Sequence, residues 1–271
     1  MQSVEAHGFK IPLVGLGTWA LRGRDCTRVV QQAISIGYRY IDTAQMYDNE
    51  AAVGEGLRTS GHRTEVLLGT KVQPDRLAPH DLERSVKESL ARLRLDVIDL
   101  LLIHWPNPRV PLSETLGAMA KLKHEGYVKQ IGVSNFTVAL VEQALKATTE
   151  PLVCNQVECH PYLNQDKVIA ASRKAGMAVV AYSPIARGSA KGDELLERIG
   201  KAHGKTAAQV CLRWLTQQGI VVIPRTSKVE RLEENIALFD FELTDAEMKE
   251  IATLARNDGR IVDWTWSPKW D

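Results

Sequence analysis

The stretch YRYIDTAQMYDNE, Tyr38 to Glu50, decides how the rest of the chain is read. A strand-like run stops at a carboxylate, Asp42, and a phenol, Tyr47, follows it. An acid at the end of a buried strand is costly unless something pairs with it. The search for that partner leads to the ends of the other strands.

Short apolar, β-rich runs recur along the chain: LVGLG (13–17), YRYID (38–42), VLLGTK (66–71), VIDLLLIH (97–104), VKQIGV (128–133), VCNQVE (153–158), MAVVAYS (177–183) and IVVIP (220–224). Amphipathic helical patterns lie between them. Leu82, Val86, Leu90 and Leu93 repeat at helical spacing, as do Leu116, Met119, Ala120 and Lys123. Capping boxes at Thr206/Gln209, Ser227/Glu230 and Thr244/Glu247 mark later helix starts. Strands alternating with helices predict parallel βαβ units. Closed on themselves, eight such units make a (β/α)8 TIM barrel of about 250 residues. An open doubly wound sheet is the alternative. Its GxGxxG fingerprint is absent, because Gly15 and Gly17 are followed by Thr18-Trp19-Ala20. The segment before Leu13 predicts a short hairpin plugging the barrel floor. The tail after Arg256 carries Trp264, Trp266 and Trp270 and has no helical pattern. No linker divides the chain, so a single domain over 1–271 is expected.

Bulk properties bound the function. The 271 residues are 44% hydrophobic and 25% charged, as in a soluble globular protein with a substantial core. A net charge of +1 provides no global field for nucleic acid or an anionic membrane. Cys26, Cys154, Cys159 and Cys211 form no CxxC pair and no metal-ligand spacing. They read as reduced, buried thiols in a cytoplasmic protein, with no metal site. The N-terminus has no signal-peptide pattern, and no apolar run reaches membrane-spanning length.

In a barrel, function gathers at the C-terminal ends of the strands. Those ends carry Asp42, Lys71, His104, Ser134-Asn135, the trio Asn155, Gln156 and Glu158, and Tyr182-Ser183. Each alone has a structural reading, as a turn cap, a snorkelling lysine or a satisfied histidine. Together they converge on one mouth. Lys71 is the natural partner of Asp42, because their strands are neighbours. An ammonium beside a phenol lowers its pKa from about 10. Tyr47 is therefore expected to be a proton donor working near neutral pH, and His104 a hydrogen-bond donor to a carbonyl oxygen. No residue supplies an electron pair, so carbonyl reduction needs a hydride cofactor. In IPRTSKVERLEEN (223–235), Arg225, Thr226, Ser227, Lys228 and Arg231 surround a helix start, a place that favours phosphate. Tyr182 is a candidate to stack on a flat ring, and Ser134, Asn135 and Gln156 to bond a carboxamide.

GLGTW, GYRYIDTAQMYDNE, TK at 70–71, DLLLIHWP, IGVSNF, NQVECHPYL, AYSPIARG and IPRTSKVERLEEN together resemble the aldo-keto reductases, in order and over nearly the whole chain. Within that family the chain most resembles the short bacterial 2,5-diketo-D-gluconate reductases, of the type that also reduce methylglyoxal. The resemblance implies NADPH-dependent reduction of small carbonyl compounds by a monomer. It implies that Tyr47 is the general acid, that Lys71 and Asp42 tune it, and that His104 orients the carbonyl. Ser134, Asn135 and Gln156 would hold the nicotinamide amide under Tyr182. Ser183 and Arg187 would lie near the pyrophosphate. Arg225, Thr226, Ser227 and Arg231 would bind the 2′-phosphate, and Glu234 and Asn235 the adenine. Trp19, Trp105 and Trp264 or Trp266 would line the substrate pocket. Position 225 is Arg where many members have Lys; the charge is kept and a phosphate-matching fork is added. Two other classes compete: a non-catalytic nicotinamide sensor on the same barrel, and a Schiff-base aldolase using Lys71 as nucleophile.

Overall fold

The computed structural model describes residues 2–271. The chain opens with an antiparallel hairpin, β1 (Ser3–Ala6) and β2 (Phe9–Pro12). The parallel strands follow: β3 (Leu16–Gly17), β4 (Tyr40–Asp42), β5 (Leu67–Val72), β6 (Ile98–Ile103), β7 (Val128–Ser134), β8 (Leu152–Glu158), β9 (Ala178–Tyr182) and β10 (Val221–Val222). Between and after them run α1 (Gly23–Ile36), α2 (Glu50–Thr59), α3 (Pro79–Leu93), α4 (Leu112–His124), α5 (Val138–Ala147), α6 (Asp166–Lys174), α7 (Glu194–His203), α8 (Ala207–Gln217), α9 (Glu230–Ile236) and α10 (Asp245–Ala252).

Sequential strands pair in register from β3 to β10. The seam closes through a bridge between Val14 and Val222. Gly15 N donates to Val222 O at 2.8 Å, and Val222 N donates to Leu13 O at 2.9 Å. The eight expected strands are therefore the staves of a closed (β/α)8 barrel. Their ends shift by a residue or two: β5 runs one residue past Lys71, and His104 is the first residue after β6.

Side chains alternate between two cores, as the two-residue period of a strand requires. In β6, Leu100 and Leu102 point into the barrel, while Leu101 and Ile103 face the helices. The hairpin contributes Ala6 and Ile11 to the inner core, beside Tyr40, Val180 and Val221. It is the expected floor plug. The four cysteines are free and buried.

Among helix signals, Leu82, Val86, Leu90 and Leu93 form the buried stripe of α3. The capping boxes at Thr206 and Thr244 both form. The one expected at Ser227 does not. The turn is closed earlier, by Thr226 Oγ1 accepting from Lys228 N at 3.0 Å, and α9 starts after Val229 without a side-chain cap. A hydroxyl that bonds two residues ahead competes with helix initiation, and Ser227 is left exposed.

The seam also constrains Gly17, where an added Cβ would stand 2.7 Å from Ile223 O. Backbone cannot yield as a flexible side chain does. Gly17→Ala should therefore cost about 1–3 kcal/mol of unfolding free energy in urea titration, whereas an unchanged midpoint would show that the seam relaxes freely.

Candidate functional site

The strand ends bring Asp42, Tyr47, Lys71 and His104 together. The barrel buries Asp42 and Lys71 side by side, with Lys71 Nζ donating to Asp42 Oδ2 at 2.5 Å. Burying two charges is expensive, and it is tolerated only when their remaining hydrogen-bonding groups are also satisfied. Here they are. Lys71 Nζ also donates to Thr43 O at 2.9 Å and Tyr47 Oη at 3.3 Å. Asp42 Oδ1 accepts from Gln156 Nε2 at 2.8 Å and Tyr40 Oη at 3.4 Å. An ammonium has three donors and no acceptor. Each donor therefore has an acceptor, and Tyr47 takes part through its oxygen lone pair. The phenolic proton of Tyr47 is left free to point elsewhere.

Tyr47 sits on a 3-10 turn, Gln45–Tyr47, that ends in left-handed backbone at Asp48, φ 50°. The turn is held down by Gln45 Nε2, which donates to Ser85 Oγ and Ser89 Oγ of α3, both at 3.1 Å. Its edge meets the His104 ring at a centroid separation of 5.5 Å.

The electrostatics correct one expectation. Burial raises the Tyr47 pKa above 10.0, and Asp42 adds to the rise; the Lys71 ammonium opposes both without reversing them. The ammonium was expected to lower it below that value. The desolvation cost of a phenolate in this setting exceeds the attraction of a cation already committed to Asp42. Burial alone would lower the Lys71 pKa, but Asp42 and then Tyr47 outweigh it and the net direction is up. Lys71 is thus a charged donor, which removes the basis for a Schiff-base nucleophile. Burial first, then the Lys71 charge, push the His104 pKa well below 6.5. Its ring is neutral at neutral pH and has one N–H to give; Nδ1 is enclosed without a partner.

A second chain of bonds runs along the mouth. Tyr182 Oη donates to Asn135 Oδ1 at 2.9 Å, and Asn135 Nδ2 donates to His104 O at 2.9 Å and Ser134 Oγ at 3.1 Å. Ser134 Oγ donates to Gln156 O at 2.8 Å. Asn135 and Ser183 both have positive φ, 62° and 50°. Left-handed backbone at non-glycine residues is strained and gathers at functional sites.

Next to these strand ends lies a cavity of about 450 Å³, lined among others by Arg225, Thr226, Arg231, Glu234 and Asn235. Ser227 and Arg187 are not among its lining residues. Arg187 instead lies over the exposed Trp19 ring, its guanidinium carbon 5.0 Å from the centroid. Arg225 Nε donates to Trp19 O at 3.1 Å. The cavity has a second cationic wall that sequence reasoning missed: Lys191, Lys201 and Lys205. Lys201 lies in the last turn of α7 and Lys205 just beyond its C-cap, Gly204, and no local signal marks either. A smaller cavity, about 180 Å³, lies behind the Tyr47 turn. Its arginines are already matched, Arg92 with Glu50 at 2.7 Å and Arg76 with Glu88 at 3.0 Å.

Trp105 is buried and meets Trp266 edge-on at 5.1 Å. Trp264 stacks on Trp266, so of the two it is Trp266 that reaches Trp105. The tail carrying them is anchored by Glu158, a fully buried carboxylate at the end of β8. Its oxygens accept from Ile261 N at 2.6 Å and Val262 N at 2.8 Å. Among the described residues there is no His/Cys/Asp/Glu group that could hold a metal ion, and no helix long and apolar enough to cross a membrane.

Comparison with known proteins identifies the family. Residues 13–256 match the profile of the Aldo/keto reductase family. The chain is 42% identical over 265 residues to a methylglyoxal reductase DkgB of Escherichia coli O157:H7, covering 96% of this chain and 99% of that one. A crystal structure assigned as a 2,5-diketo-D-gluconic acid reductase B is 45% identical, with a TM-score of 0.98 over 100% of this chain and 98% of that one. A Bombyx mori aldo-keto reductase solved in complex with NADP is 32% identical, with a TM-score of 0.90 over 97% and 95% of the two chains.

The His104 environment has a consequence for stability. The unfolded ring takes up a proton near pH 6.5, while the folded ring resists it. Stability present above 6.5 is therefore lost progressively as pH falls toward the folded value. Melting temperatures across this range should fall less steeply in His104→Gln than in the parent; parallel curves would contradict the assignment.

Proposed function

The chain belongs to the aldo/keto reductase family, and from that premise we propose that it reduces small aldehydes and ketones to alcohols with NADPH. Methylglyoxal and 2,5-diketo-D-gluconate, the compounds named for its relatives, are the leading substrate types. The observation that carries the reading is the bond from Lys71 Nζ to Tyr47 Oη. It orients the phenol so that its proton is available to a carbonyl oxygen.

NADPH, when bound, supplies the hydride. The residues present fit such a cofactor. Arg225 and Arg231 offer guanidinium forks to a 2′-phosphate, and the lysine wall adds charge without base specificity. Glu234 and Asn235 lie where an adenine amine and ring nitrogens would need an acceptor and a donor. Gln156 spends its Nε2 on Asp42, which leaves its oxygen to accept from a carboxamide. Tyr182, fixed by Asn135, presents its ring face for stacking.

Tyr47 acts as general acid. Its raised pKa keeps the proton on the oxygen until negative charge develops on the substrate, and the Lys71 ammonium then stabilises the phenolate left behind. His104, neutral, donates its N–H to the same substrate oxygen and so orients the carbonyl. Trp105 and Trp266 form an apolar wall against the substrate body, and Trp19 lines the open rim. A barrel that only senses nicotinamide would not need this proton-donating set. The free, buried thiols suit a reducing cytoplasm, and we take the chain to be a monomeric, single-domain enzyme.

NADPH oxidation followed by absorbance tests the reading. Tyr47→Phe should lower kcat for methylglyoxal by about 100-fold or more while cofactor affinity stays near the parent value; parent-like turnover would refute the acid assignment. Arg231→Ala should weaken NADPH binding by about tenfold or more and leave NADH binding nearly unchanged. Equal losses would refute the 2′-phosphate seat.

A further inference from the structure

The bond that carries the reductase reading is the longest of its set. Lys71 Nζ lies 3.3 Å from Tyr47 Oη, against 2.5 Å from Asp42 Oδ2 and 2.9 Å from Thr43 O. At about 3.6 Å such a contact is no longer a hydrogen bond. A drift of a few tenths of an ångström in the Tyr47 turn would lose it. What holds that turn in place therefore matters to the chemistry.

The turn does not hold itself. No residue of Gln45–Tyr47 is buried, and Met46 is exposed. Its backbone bonds, Tyr47 N to Ala44 O at 3.0 Å and Asp48 N to Gln45 O at 3.3 Å, are internal. Thr43 Oγ1 donates to Asn49 Oδ1 at 2.7 Å and closes the base of the loop, but a closed base does not aim the tip. The Gln45 amide does. Its Oε1 accepts from Gln73 N at 3.1 Å, two residues past Lys71. Its Nε2 reaches Ser85 O at 3.2 Å, and Ser85 Oγ and Ser89 Oγ at 3.1 Å. One side chain thus ties the Tyr47 turn both to the segment that carries Lys71 and to α3.

The α3 contacts are themselves braced. Ser85 and Ser89 are buried polar groups one helical turn apart on the same face. Buried hydroxyls are costly without partners, and Gln45 supplies them. Arg92 Nη2 donates to the same Ser89 Oγ at 3.1 Å, and Arg92 Nε to Glu50 Oε2 at 2.8 Å. The buried Glu50 accepts through Oε1 from Thr70 Oγ1 at 2.6 Å, and Thr70 precedes Lys71. The chain of bonds leaves the turn at Gln45 and returns to β5 beside Lys71. The cavity of about 180 Å³ lies against this network, so a changed side chain at Gln45 has room.

We propose that Gln45 is a positioning residue for the reaction. Its amide fixes the separation of the Tyr47 hydroxyl and the Lys71 ammonium, and so sets the rate of proton delivery without touching the reacting atoms. The inference rests on the reductase reading and adds to it a residue that acts only through Tyr47.

Single-turnover oxidation of bound NADPH by methylglyoxal, with the full chain, tests it. Gln45→Met keeps the length and removes the amide; it should slow this step about tenfold or more and leave the Kd for NADPH within about twofold. In a Tyr47→Phe background the same substitution should lower the residual rate by less than about twofold, because its route to the reaction is already gone. Ser89→Ala removes one acceptor on α3 and leaves the bond to Gln73. It should cost about threefold with Tyr47 present and nothing in Tyr47→Phe, and it decides the matter should Gln45→Met fail to fold. Equal losses in the two backgrounds, or no loss in either, would overturn the inference and leave the reductase reading intact. A parent enzyme that oxidises NADPH with neither methylglyoxal nor 2,5-diketo-D-gluconate would overturn both.

Discussion

The structure depends on one buried ion pair. Lys71 and Asp42 lie inside the barrel mouth with almost no access to water, at 2.5 Å from each other. Neither would be tolerated there alone. The pair is kept by a full set of partners drawn from β4 and the residue after it, β8 and the Tyr47 turn: Tyr40, Thr43, Tyr47 and Gln156. That completeness makes the site stiff and also makes it directional. Because every ammonium proton is committed, Tyr47 can only be an acceptor toward Lys71, and its own proton is not used on that pair.

Positions around the pair follow from barrel geometry. Parallel strands in register place Asp42, Lys71 and His104 on successive staves, and the same register sets Ser134 beside Gln156. Asn135 then ties the mouth together, bonded to Tyr182 on one side and the His104 backbone on the other. The C-terminal tail has no regular structure to hold it. It is docked instead by Glu158, whose burial makes those two amide bonds worth more than they would be at the surface. The catalytic set and the pocket wall thus hang on different carboxylates, Asp42 and Glu158.

Much of this was legible in the sequence. Six of the eight strand runs ended in, or led directly into, a polar or titratable residue, and the barrel rule gathered those ends at one mouth. Asp42 seeking Lys71 followed from the cost of a buried acid. What escaped was what depends on burial depth and on side chains meeting across distant segments. The direction of the Tyr47 shift was missed because desolvation cannot be read from a string of residues. Ser227 looked like a helix cap because its spacing to Glu230 is right, yet Thr226 captured the turn first. Lys201 and Lys205 were passed over on α7 and its following loop, since nothing local says that this helix end faces the cavity under Arg231. Glu158 was noticed as a strand-end polar group, but its partners lie about a hundred residues away in a patternless tail.

The central claim concerns where the protons sit on Lys71 and Tyr47. Neutron diffraction from deuterium-exchanged crystals reads them directly. The account predicts three deuterons on Lys71 Nζ, one of them directed at the Tyr47 oxygen, and a Tyr47 deuteron directed away from Lys71 toward the open pocket. A neutral amine on Lys71 that accepts the Tyr47 deuteron would contradict it.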